Sequence, residues 1–489
     1  MVVSLGCQIV TLLCGLVVPR LMLSAFGSEL YGASTSIAQF LSYIALLEGG
    51  VGGVARAVLY KPLAEQDFDK ISTIMAEVKH FFRIVGYVFA GYVLLIACGF
   101  RVVSGLECMD WMSSFLLVVV ISLSTFGQYF IGISNAVLLQ AAQRSYVTNF
   151  INIIGTLVNA VSVCLLIWLD SDLITVKLAS SCIYILRPVV MWLYVRRHFG
   201  LKTVRRSKEP LLTQKWSGLG QHIAFYLHSN TDVVILTLFT DLYKVAVYAV
   251  YNMIVSHIQT LATSFASGME ALFGDMLARE EYEELHKTFG HYEMLLSVIS
   301  VVLFATTLSV ILPFVRLYTS GITDVNYHVP ELAVFLVLSA LLYCLRMPYH
   351  ALVIAAGHFQ QTQVAAYAEA VVNVALSIIL VWTNGIPGVA FATMMATALR
   401  FGYYVVYLSR NIFCRHVGLF LRRTLVNGMT FASSVAVGMR INRIIPAESY
   451  LSWAVCACVT ALVIAAITLA FNYVFCRQEL FATAKKYLK

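Results

Sequence analysis

Ionisable side chains set within long apolar runs are the residues of this sequence whose types could do chemistry. Each costs roughly 2.5 to 3.5 kcal/mol to place at the centre of a bilayer and usually faces a protein interior or a water-filled cavity. Before residue 200 the chain has Arg20, Glu48 and Arg56, and from residue 219 onward it has His222, His228, Asp232, His257, Glu270, Glu369 and Arg400. Arg20 follows Pro19 near the end of an apolar run, where a long side chain can instead snorkel to the interface, and Arg56 is open to the same reading. Glu48 lies near mid-run, just before Gly49, Gly50, Gly52 and Gly53. Such a cluster is either a close-packing face, its commoner role, or a hinge. Glu48 and Arg56 are eight residues apart, two turns along one helical face, and so can line a common wall.

The densest polar group is His228, Asn230 and Asp232. His228 and Asp232 stand four apart on one face and can pair. That pair is either a structural latch or a site for a coupling proton or cation, since imidazole and carboxylate exchange protons near neutral pH. Asn159 and Asn373 suit interhelical hydrogen bonding. The eleven cysteines have no metal-binding spacing. Cys14, Cys98, Cys164, Cys182 and Cys456 read as small core hydrophobes. No cofactor is expected beyond a coupling H+ or Na+.

The elements that position these residues follow from composition. The 489 residues are 60% hydrophobic and 12% charged, with mean hydropathy +0.83. A soluble fold would leave too much apolar surface in water. This excludes a soluble enzyme, a DNA-binding protein, a secreted disulfide scaffold and a disordered chain. The chain reads as an all-α polytopic membrane protein with about fourteen transmembrane helices, at roughly 20 apolar residues per helix. The first stretch, MVVSLGCQIVTLLCGLVVP, lacks a basic n-region and a cleavage site and reads as a spanning helix. The net charge of +8 falls in short breaks between apolar runs, which topology explains better than a nucleic-acid partner. With both termini cytoplasmic, about 23 basic residues fall inside and 6 outside, as the positive-inside rule requires. No extramembrane segment exceeds about 25 residues, which leaves no room for a catalytic domain, so the chain is not expected to be an enzyme.

The chain also repeats itself. VNAVSVCLLIW, ending at Trp168, pairs with VNVALSIILVW, ending at Trp382, a shift of 214. Phe68 and Ile71 fall on Tyr282 and Leu285 at that shift, and SAFGSELY (24–31) resembles TLFTDLY (237–243) with one gap. The shift spans six helices, so the halves share an orientation and are related by an axis along the membrane normal. The stretches EQDFDKISTIMAEVKHFF and REEYEELHKTFGHYEML read as amphipathic helices lying in the cytoplasmic interface. The organisation expected is an N-lobe, 1–200 (helices 1–6), a basic cytoplasmic linker, 201–218, a C-lobe, 219–412 (helices 7–12), and helices 13–14 with a cytoplasmic tail, 413–489. The two pseudo-symmetric six-helix lobes face a central cleft.

In VVPRLMLSAFGSELYG and FLSYIALLEGGVGGVARAVLYKPLAEQD the sequence resembles the bacterial polysaccharide (O-antigen and capsule) repeat-unit flippases, the Wzx-like family of the MATE-like flippase (MOP) superfamily. SNTDVVILTLF with VYAVYNMI, including Tyr248 and Tyr251, resembles the start of that family's second lobe, and LLQAAQRSYVTNFINIIGTLVNAV its helices four and five. The resemblance implies a transporter of the cytoplasmic (inner) membrane that moves undecaprenyl-diphosphate-linked oligosaccharide outward by alternating access, for surface polysaccharide synthesis. It implies the lipid-linked oligosaccharide and membrane lipids as partners, with polysaccharide polymerase and glycosyltransferases beside it. Arg20, Glu48 and Arg56 match its cavity residues and Asn230 and Asp232 its second-lobe pattern. Arg400 is added from its embedded charge alone. Arginine's planar fork suits phosphate oxygens. The alternatives are a MATE-type multidrug or cation antiporter, which needs carboxylates where this chain has arginines, a membrane-embedded glycosyltransferase or polymerase, and a scaffold without transport.

Overall fold

In the computed structural model the described residues are 2–48, 51–201, 219–264, 269–413 and 417–477, and among them the chain is helical throughout, with no strand. Helix is the form that satisfies every backbone N–H and C=O without water. The chain divides into two compact units, Met1–Ala246 and Val247–Lys489. The expected linker falls almost entirely outside the described residues.

The first unit holds α1 (Val2–Ser42), a 3-10 segment (Tyr43–Glu48), α2 (Val51–Ala64), α3 (Phe68–Ser104), α4 (Trp111–Gly127), a π-helical turn (Gln128–Gly132), α5 (Ile133–Ala141), α6 (Ser145–Trp168), α7 (Leu173–Phe199), α8 (Leu219–Phe239) and the start of α9 (Leu242–Ser264). The second continues with α10 (Met269–Ala278), α11 (Tyr282–Tyr318), α12 (Pro330–Ala355), α13 (Phe359–Asn411), α14 (Val417–Ile444) and α15 (Tyr450–Phe475). Among the described residues ten helical segments are long and apolar enough to cross a membrane. Two of these, Gly6–Glu48 and Gln360–Asn411, run 43 and 52 residues, about twice what a bilayer needs. Each is bent at one glycine, Gly27 (φ 76°) and Gly385 (φ 59°), in backbone conformations that exact a strain cost from any residue with a Cβ. The count of ten does not itself fix the number expected, about fourteen.

The internal repeat is present in the backbone. Helices α3 and α11 are each 37 residues long and start at Phe68 and Tyr282, 214 apart. Ahead of them, Gln66 and Glu280 take positive φ of 55° and 60°, and further on Gln143 and Gly357 do so at 58° and 70°. Both pairs keep the same shift. Asn159 Nδ2 donates to Tyr184 Oη at 3.0 Å and Asn373 Nδ2 to Thr393 Oγ1 at 2.9 Å, so the equivalent asparagines tie equivalent segments. The amphipathic stretches, however, are not separate interfacial helices. Each forms the first turns of α3 or α11 without a break, because Ile71, Ile74 and Val78, like Leu285, Phe289 and Tyr292, are buried in their own unit's core.

The core of the first unit is built on Phe82, Phe89, Leu117, Leu138 and Val176, and one core cluster of the second on Phe273, Phe289, Tyr349 and Tyr404. Outward positions are equally apolar: Trp168 and Trp382, equivalent in the repeat, are 80% and 71% exposed. Cys98, Cys164 and Cys182 are exposed and Cys14 is half-buried, so of the five cysteines expected in cores Cys456 alone is there. In a chain whose surroundings are hydrocarbon, an apolar residue fits either side of a helix.

The starts of α3, α4, α7 and α15 are capped by the side chains of Asp67, Asp110, Asp172 and Ser449. Asp172 accepts from the Ile174 and Thr175 N–H groups at 3.1 and 3.4 Å and from the Thr175 hydroxyl. The hydroxyl bond first, then the backbone bonds, hold its carboxyl below the usual carboxylate range. Asp172→Ala should lower stability by about 1 kcal/mol. A group whose pKa is depressed on folding stabilises above its unfolded value, about 3.9, and ceases to do so as pH falls through the folded one. Thermal unfolding in detergent should therefore show a constant gap between wild type and variant from neutral pH to about pH 5, closing below about pH 4.

Candidate functional site

The first unit contains Arg20, Glu48, Arg56, Asn230 and Asp232, and the second contains Arg400. Asn230 and Asp232 are in α8, which packs antiparallel to the C-terminal half of α1 along a polar seam. Ser36 Oγ and Thr237 Oγ1 are 2.6 Å apart, Gln39 Nε2 donates to Asn230 Oδ1 at 2.7 Å, and Tyr43 Oη donates to Thr231 Oγ1 at 3.1 Å. Tyr226 Oη donates to the Ser42 carbonyl. Asn230 Nδ2 donates to the Tyr226 carbonyl at 3.0 Å, so both ends of its amide are committed. At one end of the seam Tyr243 Oη donates to Glu29 Oε2 at 3.1 Å. There Gly32 lets α1 meet α9, since an added Cβ would stand 2.0 Å from the Leu242 carbonyl oxygen. Asp232 is buried beside this seam. The side chain of His228 lies outside the described residues, and so does any pairing with Asp232.

Glu48 ends the 3-10 segment, Arg56 is in α2, and Gly49 and Gly50 between them lie outside the described residues. Tyr129, carried on the π-helical turn, donates to Glu48 Oε1 at 2.6 Å. Such turns re-aim single side chains. Arg56 Nη1 donates to Gln140 Oε1 at 3.0 Å, a neutral acceptor. A Cβ at Gly52 or Gly53 would meet nothing closer than 3.7 and 3.9 Å, so close packing is not what these two glycines provide. Arg20 is half-buried on α1. A cavity of about 570 Å³ in this unit is lined by Tyr60, Gln66, Phe68, Gln143, Arg144 and Phe199, with none of the expected site residues among its lining.

In the second unit Arg400 is not an isolated embedded charge. Glu369, fully buried, receives Arg346 Nη1 at 2.6 Å on Oε1 and Arg400 Nη1 on Oε2. Arg400 also donates to Tyr404 Oη, from Nη2 at 3.0 Å, and Arg346 stands over the Tyr343 ring at 4.8 Å. The triad ties α12 to both halves of α13. Arg346, which the sequence places with the cytoplasmic charges, is 4% exposed. A second buried group joins Glu293 of α11 to Tyr349 of α12 and Arg423 of α14. Further embedded residues escape the sequence reading, Arg187, Glu293 and Glu77 among them. Arg187 lies at the centre of α7, and the signal for it was the repeat, since LR at 186–187 recurs at 399–400. Glu293 carried no such signal, because its partners come from distant helices.

A family model described as MatE matches residues 219–379. None of the curated proteins compared matches. Among solved structures, a "Lipid II flippase MurJ, inward closed conformation" superposes with a TM-score of 0.72 over 98% of this chain and 100% of its own, at 11% identity. An inward-facing multidrug resistance MATE transporter of the MOP superfamily gives 0.62 over 84% and 98%, at 16% identity. A eukaryotic MATE transporter gives 0.60 over 82% and 93%, at 13%. The fold is therefore that of the solved MATE-type transporters and lipid flippase.

Removing one partner of a buried ion pair strands the other charge, at about 3 to 5 kcal/mol. Glu369→Gln, which strands both Arg346 and Arg400, should depress the unfolding midpoint in detergent far more than Arg400→Gln, which leaves the Arg346–Glu369 pair whole. A similar midpoint for the two variants would show that the triad carries no such pairing.

Proposed function

We propose that the chain is a flippase that exports lipid-linked oligosaccharide repeat units across the cytoplasmic membrane by alternating access, with both termini cytoplasmic. The observation that carries this reading is Arg56. Its guanidinium is held by the neutral Gln140 amide, so its charge stays available to an anion. A phosphate-bearing carrier needs such a fork. Arg20 and Arg56 then face the diphosphate, Glu48 positions the wall through Tyr129, and Arg400 acts through its pair with Glu369. Export of a diphosphate bearing two negative charges is favoured on an inside-negative membrane by about 2.3 kcal/mol per charge per 100 mV. Asp232, beside the committed amide of Asn230, is the group proposed to couple a proton or sodium ion, with His228 as its neighbour in sequence. The fold shared with the lipid II flippase over the whole chain supports the reading. Polysaccharide polymerase and glycosyltransferases are the partners it implies.

The MatE match favours a second reading, a multidrug or cation antiporter. Complementation of a repeat-unit flippase deletion separates the two. At matched membrane expression the wild type should restore surface polysaccharide, and Arg56→Ala should cut it by tenfold or more, the size expected from losing a charge-assisted bond of about 1.5 to 3 kcal/mol. Glu48→Gln and Asp232→Asn should also reduce it. Drug efflux by the wild type, lost in Asp232→Asn but not Arg56→Ala, would instead establish the antiporter.

A further inference from the structure

The repeat that relates the two units also exposes a difference between them. Arg187 on α7 and Arg400 on α13 are equivalent, each near the middle of its helical segment, 213 residues apart. Arg400 meets Glu369 on the preceding segment. The residue equivalent to Glu369 at the 214 shift is Gly155. Instead of a carboxylate, Arg187 meets the bare backbone of α6: a Cβ at Gly155 would stand 2.3 Å from Nε and 3.0 Å from Cγ.

The remaining partners of Arg187 are neutral. Nη2 donates to Thr156 Oγ1 at 2.9 Å, and the guanidinium carbon lies 4.1 Å from the centre of the Tyr184 ring, whose hydroxyl is itself held by Asn159. Nε is buried without an acceptor. Among the described residues no acidic side chain pairs with Arg187. A guanidinium near mid-helix with an aromatic face beneath it and only neutral partners keeps its charge for an anion, which must approach from the Nη1 and Nη2 side because Nε is sealed against Gly155. Stacking on Tyr184 fixes the plane of the fork.

We propose that Arg187 is an oxyanion-binding residue, taking phosphate oxygens of a lipid-linked diphosphate, with Gly155 and Tyr184 as its positioning residues. The inference deepens the flippase reading and rests on it. In the second unit the equivalent arginine is held in an ion pair with Glu369, so the first unit offers the anion a guanidinium that has no carboxylate partner.

The test uses the full-length protein in detergent and the saturable rise of its melting midpoint with geranylgeranyl diphosphate, with neutral geranylgeraniol and inorganic pyrophosphate as parallel arms. Thr156→Glu places a carboxylate within reach of Nη2. It should weaken diphosphate affinity at least tenfold while the ligand-free protein melts no lower than wild type, and Thr156→Gln should bind within about threefold of wild type. Arg187→Gln should match Thr156→Glu, and Arg187→Lys should recover part of the affinity. If the arginine only packs α6 against α7, Thr156→Glu leaves diphosphate affinity unchanged, and the proposal is overturned. Loss of binding in Arg56→Gln with retention in Arg187→Gln and Thr156→Glu overturns Arg187 alone and leaves the flippase reading standing. No response of the wild type to the diphosphate lipid overturns both. A response to inorganic pyrophosphate as strong as to the lipid, and lost in the same variants, keeps the oxyanion site but assigns it to a free diphosphate. Should Arg187→Gln fail to fold, the two Thr156 variants decide the question.

Discussion

An arginine in hydrocarbon must be given either a counter-charge or a neutral cradle, and much of the polar architecture of this protein follows from that demand. In the second unit the demand is met by Glu369, which takes one guanidinium on each oxygen and joins α12 to both halves of α13. A carboxylate that is fully buried between two cations has little freedom to move without them. The segments it joins are thereby tied to one another through one buried carboxylate.

The first unit meets the same demand differently. Four of its polar side chains rest on neutral partners: Arg56 on Gln140, Arg187 on Thr156 and Tyr184, Glu48 on Tyr129, Asn230 on Gln39. Neutral partners of this kind hold a charged side chain in place without cancelling its charge. The contrast between Gly155 and Glu369, at equivalent positions of one repeat, condenses the division of labour between a unit with available charge and a unit with locked charge.

The fold itself was legible because its causes are local. A run of about 20 apolar residues makes a helix that spans, and two such series at one shift make a repeat, whose ends the structure reproduces at Phe68 and Tyr282. Helix breaks were harder. The amphipathic stretches that open α3 and α11 look like separate surface helices, yet buried Ile71 and Leu285 draw them into the core as the first turns of the spans. Hydrophobicity could not say which side of a helix faces inward either, since lipid accepts Cys98 and Trp168 as readily as the core accepts Phe89.

The sequence by itself determined that the chain spans a membrane as a bundle of helices, that the bundle is a tandem repeat, and that a few charges lie where charges are costly. Only the tertiary structure decided which of those charges remain available. Arg400 reads from sequence as an isolated cation and is bound to a carboxylate 31 residues earlier. Arg346 reads as cytoplasmic and is buried, and Arg187 was overlooked although its partners, like that of Arg56, are neutral. Charge compensation is a contact between side chains on different helices, set by how those helices pack. No local pattern encodes it.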